Sequence, residues 1–450
     1  AYPVYFELLA GVTAGIINMV WVARLGGDAV AAVAVATNVE NVLLGVILMA
    51  GSGTTVLVAR ARGAGDRAAA RSAVRGGWAL WALITPVVAV GGYLCREPLA
   101  RLVLGGGGGD ALALTTGYFA IALPGTAVYF ATNVVDGILK GSGDTRTPMR
   151  LALLANGLIL ALDPLLILGL GLGVRGAAIA TVLGRTAALI CGFVALHRQG
   201  RGERRERRRA ARARPAGHRA RDLAADARRT AATGLPMSAD FVLRMAGALA
   251  LVAVVARIGV EEVAAYGIAT KAMYLATMAF YSVRQAAAIH TAHLLGSGRD
   301  ERRAVGRQAV LVAGALGLVA ASLLLVAGPW IMRGFGAEGE VAGAGALYLR
   351  CLGPYLVLLA CFIALGGVFE GSGGSPLLAR ITACGVAIQL ALAYALLGLG
   401  LPGICLAMAA SMAVQCGAVV RLYRRTGRVA PVRRKRGTAG AGISGRGGSW

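Results

Sequence analysis

The chain states one apolar pattern twice. Pro3 leads to Arg24-Leu25-Gly26 and an Ala-rich run through Ala36-Thr37, and Pro236 leads to Arg257-Ile258-Gly259 and a run through Ala269-Thr270. The offset is 233 residues in both places, Pro3 to Pro236 and Arg24 to Arg257. Gly141-Ser142-Gly143 with Pro148 returns as Gly371-Ser372-Gly373 with Pro376, and Gly173-Val174-Arg175-Gly176 as Gly400-Leu401-Pro402-Gly403. A duplicated apolar half predicts two similar bundles with a binding site between them, the pattern of secondary transporters.

Hydrophobic residues make up 57% of the chain and charged residues 15%, which excludes a disordered chain. A net charge of +25 on a soluble surface would point to nucleic acid. Here the charge collects between and after the apolar runs, where membrane topology accounts for it. The 450 residues hold about twelve helical spans of roughly 20 residues. They are expected near 2–25, 29–58, 74–95, 112–139, 149–171 and 175–197, and again near 233–257, 262–295, 305–332, 342–369, 376–399 and 402–423. The fold expected is therefore an all-α membrane protein of twelve transmembrane helices in two pseudo-symmetric six-helix bundles.

With both termini in the cytoplasm of a multi-pass plasma-membrane protein, the inner connections carry Arg60, Arg62, Arg67, Arg71, Arg75, Lys140, Arg146 and Arg150. Arg299, Arg302, Arg303, Arg307, Arg380, the basic linker and the basic tail add to that side. The outer connections hold fewer, namely Arg24, Arg96, Arg101, Arg175, Arg257, Arg333 and Arg350. The excess on the inner side fixes the orientation.

Four segments follow: an N-terminal six-helix lobe 1–197, a basic cytoplasmic linker 198–231, a C-terminal six-helix lobe 232–425 and a basic disordered tail 426–450. The linker, with Arg207-Arg208-Arg209, is expected to be a solvated or lipid-surface loop. No aromatics interleave with its arginines, so RNA binding is not expected. The run Gly105–Gly109 has no following Lys-Ser/Thr and reads as a turn, not a phosphate loop. GSG triplets at 51, 141, 296 and 371 read as helix breaks and caps. The seven cysteines stand singly and are expected to be free and unreactive. No cleavable signal peptide is expected, and a short N-terminal piece ahead of Ala1 is expected to be missing.

Several motifs together resemble one family. Trp21-Val22-Ala23-Arg24-Leu25-Gly26 runs into Ala31-Ala32-Val33, and Gly63-Ala64-Gly65-Asp66 follows the second span. Lys140-Gly141-Ser142-Gly143-Asp144-Thr145-Arg146-Thr147-Pro148-Met149 links spans four and five. Asp163-Pro164 precedes Gly173-Val174-Arg175-Gly176-Ala177-Ala178-Ile179-Ala180-Thr181. This set resembles the multidrug and toxic-compound extrusion (MATE) transporters of prokaryotes, over all of the chain except the linker and tail. The resemblance implies export driven by inward H⁺ or Na⁺, not enzyme catalysis. It also implies a coupling site in the N-terminal lobe made by an Asp on the first helix, an Asn and Asp on the fifth, and a Thr on the sixth. Carried over, these positions are Asn18, Ile159, Asp163 and Thr181, so two of the four have changed. In the second repeat Leu251 matches Asn18 and Ala391 roughly matches Asp163, so that lobe offers little.

The residues themselves give the candidates. A carboxylate within a span costs several kcal/mol if ionised and unpaired. Asp163, Asn18, Thr181 and Asn156 are expected to form the coupling site, with H⁺ preferred to Na⁺ and no cofactor or metal. Glu40, Asp136, Asp240, Arg244, Lys271 and Arg284 are expected to line the substrate cavity. For Asp136 an i,i+4 ion pair with Lys140 is the alternative, and for Asp240 a pair with Arg244. Tyr118, Phe119, Tyr129, Phe130, Tyr274, Phe280 and Tyr281 are candidate cavity aromatics, and His290 and His293 lack further metal ligands. The expected partners are a small organic substrate, cationic or amphipathic, and membrane lipids, with no nucleic acid and the chain a monomer. A lipid-linked saccharide flippase of the same architecture is the alternative, favoured by a cationic cavity.

Overall fold

The structure, a computed structural model, describes residues 2–104, 109–200, 219–334 and 339–426. These residues form helices, and no strand occurs among them. The first repeat is α1 Tyr2–Ala23, α2 Gly27–Gly63, α3 Arg67–Pro86, the short α4 Arg96–Val103, α5 Asp110–Gly141, α6 Arg146–Pro164 and α7 Gly173–Gly200. The second is α8 Arg219–Val255, α9 Val260–Gly296, α10 Arg302–Gly334, α11 Gly339–Cys351, α12 Gly353–Ser372, α13 Ser375–Ala395 and α14 Gly400–Thr426. Twelve helices are long and apolar enough to cross a membrane. An even number of crossings puts the start of α1 and the end of α14 at the same end of the molecule.

Side chains such as Val87, Leu102, Val326 and Trp330 are more than two-thirds exposed. A surface this greasy suits hydrocarbon, where helices satisfy their backbone bonds internally. The repeat recurs in backbone geometry as well as in sequence. Gly143 and Gly373 close α5 and α12 with φ of 91° and 88°, and Gly173 and Gly400 open α7 and α14 with φ of 56° and 65°. Those left-handed values suit glycine at each copy of the turn. Two helices widen just after a proline: Pro86 leads into a π turn at Val87–Gly91 and Pro164 into one at Leu165–Gly169. The missing proline N–H is what opens the helix there.

Three boundaries differ from the sequence expectations. The expected tenth span is broken at Leu352, where Pro354 occupies the first turn of α12. The expected linker ended at 231, yet α8 begins at Arg219, and Asp226 and Thr230 are buried on it. Arg228 and Arg229 take the exposed side of the same turns, which is how a charged segment continues a helix. Residues 201–218 of that linker, the tail from 427 and 105–108 of the glycine run lie outside the described residues. Gly51-Ser52-Gly53 is neither a break nor a cap, since α2 runs through it. A Cβ on Gly53 would strike the backbone of Thr230 and Gly234, and one on Gly51 the carbonyl of Asn133.

Residues 45–63 of α2 form the main seam between the lobes, packing on α8 and α9. Met49 meets Gly234, Gly63 meets His293, and Arg60 meets Gly296 with backbone against backbone. Ser238 donates to the Gly45 carbonyl, and Val56, Ala59 and Ala292 form a small apolar core across the seam. Asp226 of α8 accepts from Ser72 and from Arg75 (Nε 3.0 Å) on α3. All these contacts lie between mid-depth and the end that carries the termini. In the other half, Gly27 and Gly267 face open space, and Thr37, Asn38, Lys271 and Tyr274 are exposed.

Because the seam joins Ala59 to Ala292, an Ala59→Cys/Ala292→Cys pair in a background without the native cysteines should form a disulfide on mild oxidation. Gly63→Val should lower that yield by pushing α9 away. No cross-link, with each single cysteine still present in folded protein, would contradict this seam.

Candidate functional site

In the N-terminal lobe, α1 packs on α6. Asp163 stands at the end of α6 before Pro164 and is fully buried. The Asn18 amide donates to Asp163 Oδ2 at 2.8 Å, while Oδ1 has no hydrogen-bond partner. The structure thus brings together two of the four expected coupling residues. The other two are turned to their own helices: Thr181 donates to the Ala177 carbonyl at 3.0 Å and Asn156 to the Ala152 carbonyl at 2.9 Å. Ile159, one turn before Asp163, is buried and apolar. Of the expected residues, Asn18 alone bonds to the carboxylate.

Thr181 instead helps to line a small cavity of about 20 Å³, with Glu40, Tyr118, Thr126, Tyr129 and Arg185 among its walls. That volume is room for roughly one water molecule. Tyr118 donates its hydroxyl to Glu40 Oε1 at 3.2 Å. Arg185 lies 3.7 Å over the Tyr129 ring and attracts Glu40 electrostatically. The pocket therefore holds one acid, one base and two phenols. Arg185 was missed in the sequence, although a lone cation inside an apolar span is the signal that singled out Lys271.

Three expectations for the cavity need correction. Asp240 and Arg284 do not line it but sit in an ion-pair network inside the C-terminal lobe, 1% and 6% exposed, in which Arg244 Nε and Arg284 Nη1 have no hydrogen-bond partner. Arg284 Nη2 donates to Asp240 at 2.6 Å and to Glu370 at 2.5 Å, with Nε adding a 3.0 Å bond to Glu370. Thr382 donates to the second Asp240 oxygen at 2.6 Å, and Arg244 pairs with Asp240. Two arginines and two carboxylates cancel. Burial forces this pairing, since a charge left unpaired there is expensive. Gly366 and Gly367 make room for it: a Cβ on Gly367 would collide with the Arg284 carbonyl. Glu370, the acid that completes the set, was not singled out in the sequence.

Asp136 is the second correction. It lies outside the Glu40 pocket, and the ammonium four residues on, Lys140, bonds instead to Glu7 of α1 at 2.6 Å. The aromatics are the third. Phe119, Phe130 and Phe280 are at most 2% exposed and pack helices, whereas Tyr118 and Tyr129 reach the pocket. Lys271 is exposed on α9, in the half away from the seam. His290 and His293 are exposed, and no cluster of metal ligands occurs among the described residues. All seven cysteines are free.

Arg284→Met should leave Asp240 and Glu370 under-compensated and destabilise the protein by about 3–5 kcal/mol. Thermal melting of the purified protein checks this. Adding Glu370→Gln should recover part of the loss, because it removes the stranded charge. An unchanged melting midpoint for Arg284→Met would show that the network carries little.

Comparison with known proteins agrees with the two-lobe reading. The MatE family model matches residues 3–165 and 236–395, one stretch in each repeat. The probable multidrug resistance protein NorM of Thermotoga maritima is 30% identical over 193 residues, 41% of this chain and 40% of that one. The probable multidrug resistance protein YoeA of Bacillus subtilis is 27% identical over 295 residues, 64% and 61% of the two. The FAD transporter of Shewanella oneidensis is 29% identical over 173 residues, 38% of each. The matches therefore span less than two thirds of these relatives' lengths. Among solved structures, a MOP superfamily transporter from Pyrococcus furiosus superposes with a TM-score of 0.83 over 94% of both chains at 22% identity. An outward-facing multidrug resistance MATE family transporter gives 0.84 with the same coverage and identity. Those likenesses support the fold, and the family model, met once in each repeat, places the chain in the MatE family of multidrug and toxic-compound extrusion (MATE) transporters.

Proposed function

We propose that the chain is a secondary active antiporter that exports small organic compounds across the plasma membrane in exchange for protons, as a monomer with both termini cytoplasmic. The observation that carries this reading is the fully buried Asp163, held by Asn18 through one oxygen and unpartnered at the other. A proton needs only one such carboxyl, whereas Na⁺ needs several oxygens. Ile159 supplies none, and Asn18 is the one expected partner that reaches the carboxylate. A carboxyl buried in one conformation and wetted in another gains and loses a proton as the lobe moves.

The orientation supports export. The lobes pack together at the end that the basic loops assign to the cytoplasm, which supports reading this state as outward-facing. Glu40, Tyr118 and Tyr129 are the groups that would meet a cationic or amphipathic cargo once the pocket, now the size of about one water, widens and Arg185 moves aside. The relatives are named for multidrug resistance or for FAD, so their cargoes differ. The flippase alternative rested on a cationic cavity. Its support weakens because Arg244 and Arg284 are neutralised by Asp240 and Glu370.

In inverted membrane vesicles, Asp163→Asn should abolish cargo uptake driven by a pH gradient while the protein remains folded and inserted. Asn18→Ala should lower it less, since the carboxyl stays. Full transport by Asp163→Asn, or strict Na⁺ dependence in the parent, would overturn the proposal.

A further inference from the structure

The cluster at Glu7, Asp136 and Lys140 is unlike the other buried charges. Lys140 Nζ bonds to Glu7 Oε1 at 2.6 Å, and their side chains are only 8% and 14% exposed. Asp136 stands one helical turn before Lys140, and both of the other charges act on it. Glu7 Oε2 and Asp136 Oδ1 are both shielded from solvent and without a hydrogen-bond partner. A structural ion pair needs one acid and one base; this site has two acids.

Among the described residues, no further base acts on the second acid. The groups acting electrostatically on Asp136 are Lys140 and Glu7, and those acting on Lys140 are these two carboxylates and Tyr129. On the helices packed around the cluster, Arg60 of α2, Arg146 and Arg150 of α6, His197 of α7, and His290 and His293 of α9 are all exposed. Arg75 of α3 is taken by Asp226. With both carboxyls ionised the three side chains carry a net −1, with Glu7 Oε2 and Asp136 Oδ1 shielded and unpartnered. One added proton brings the cluster to zero.

We propose that Glu7, Asp136 and Lys140 form a proton-carrying site separate from Asp163, placed at the end of the N-terminal bundle where the chain termini lie. Its position gives the proton mechanical consequence. α1 is tied to its own bundle twice, by Glu7 to α5 and by Asn18 to α6. The ties are eleven residues apart, roughly 16 Å along the helix. α1 also packs against α9 of the other lobe. Loss of the proton strengthens the pull of both carboxylates on Lys140 and tightens the first tie; its return loosens it. That the transport cycle uses this proton rests on the antiport reading above, but that the cluster holds it does not.

The test reads the carboxyl groups directly and without cargo. Infrared difference spectra of the purified protein in lipid nanodiscs, recorded on stepping from neutral to alkaline pH, report each carboxylic acid that loses a proton. Glu7→Gln and Asp136→Asn each leave one acid for one base, so each should lose the signal of one protonated carboxyl. Asp163→Asn should keep that signal. Lys140→Met should shift the other way and gain a protonated carboxyl, because two acids then face no base. Opposite signs in the acid and base variants separate proton holding from damage to the fold, which is followed by size-exclusion profile. Unchanged spectra in both acid variants, or no gain in Lys140→Met, would overturn the proposal whether or not the chain transports anything.

Discussion

An ionised side chain out of reach of water must be neutralised, and that cost orders the polar interior of both lobes. Asp240, Glu370, Arg244 and Arg284 meet it by cancellation within one network. Glu40 meets it with Arg185 across a pocket, one acid against one base. Asp163 has an amide and no base, and Glu7 with Asp136 has half the base it needs. The two repeats have therefore settled the same problem differently. Among the described buried groups, the acids without a matching base lie in the first lobe, and those of the second are paired with arginines.

Glycine imposes the other constraint, on how the lobes meet. Four glycines along the seam, Gly53, Gly63, Gly234 and Gly296, let backbones touch where any side chain would hold them apart. Small-residue contacts of this kind bring helices together in lipid, where no hydrophobic force does so. Their location at one end alone means that the seam can seal that end while the other remains parted. The Asp226 link to Ser72 and Arg75 adds a polar clasp at the same end.

The apolar periodicity and the duplicated glycines made the fold legible in the sequence, because span length and turn geometry are local properties. Asp163 was legible for a related reason: a carboxylate inside an apolar run stands out before any partner is known. Its neighbour Asn18 came from the family resemblance, and the contact holds. What stayed hidden depends on packing between distant helices. Glu7 looks like a residue near a chain end, and Glu370 like one at a helix end before Gly371. Only the crossing of α1 on α5, and of α12 on α9, shows which base each meets. The start of α8 was hidden for the opposite reason. Its charge content suggests solvent, but the i,i+4 spacing of Asp226, Thr230 and Gly234 marks the stripe that packs on α2 and α3.

The ion-pair network in the second lobe bears on where coupling can reside. A proton or cation binds where negative charge is left over. Arg284 already lies between Asp240 and Glu370, its guanidinium filling the position that an exchangeable cation would take. To remove either acid there would strand an arginine, which is as costly as stranding the acid. No negative charge is left over in that network. In the first lobe, neither Asp163 nor the Glu7–Asp136 pair has a guanidinium of its own. Where the base is missing, a proton from solution is the remaining way to reach neutrality, and it is available only when the site meets water. Such acids without a base of their own are where the proposed proton coupling would reside.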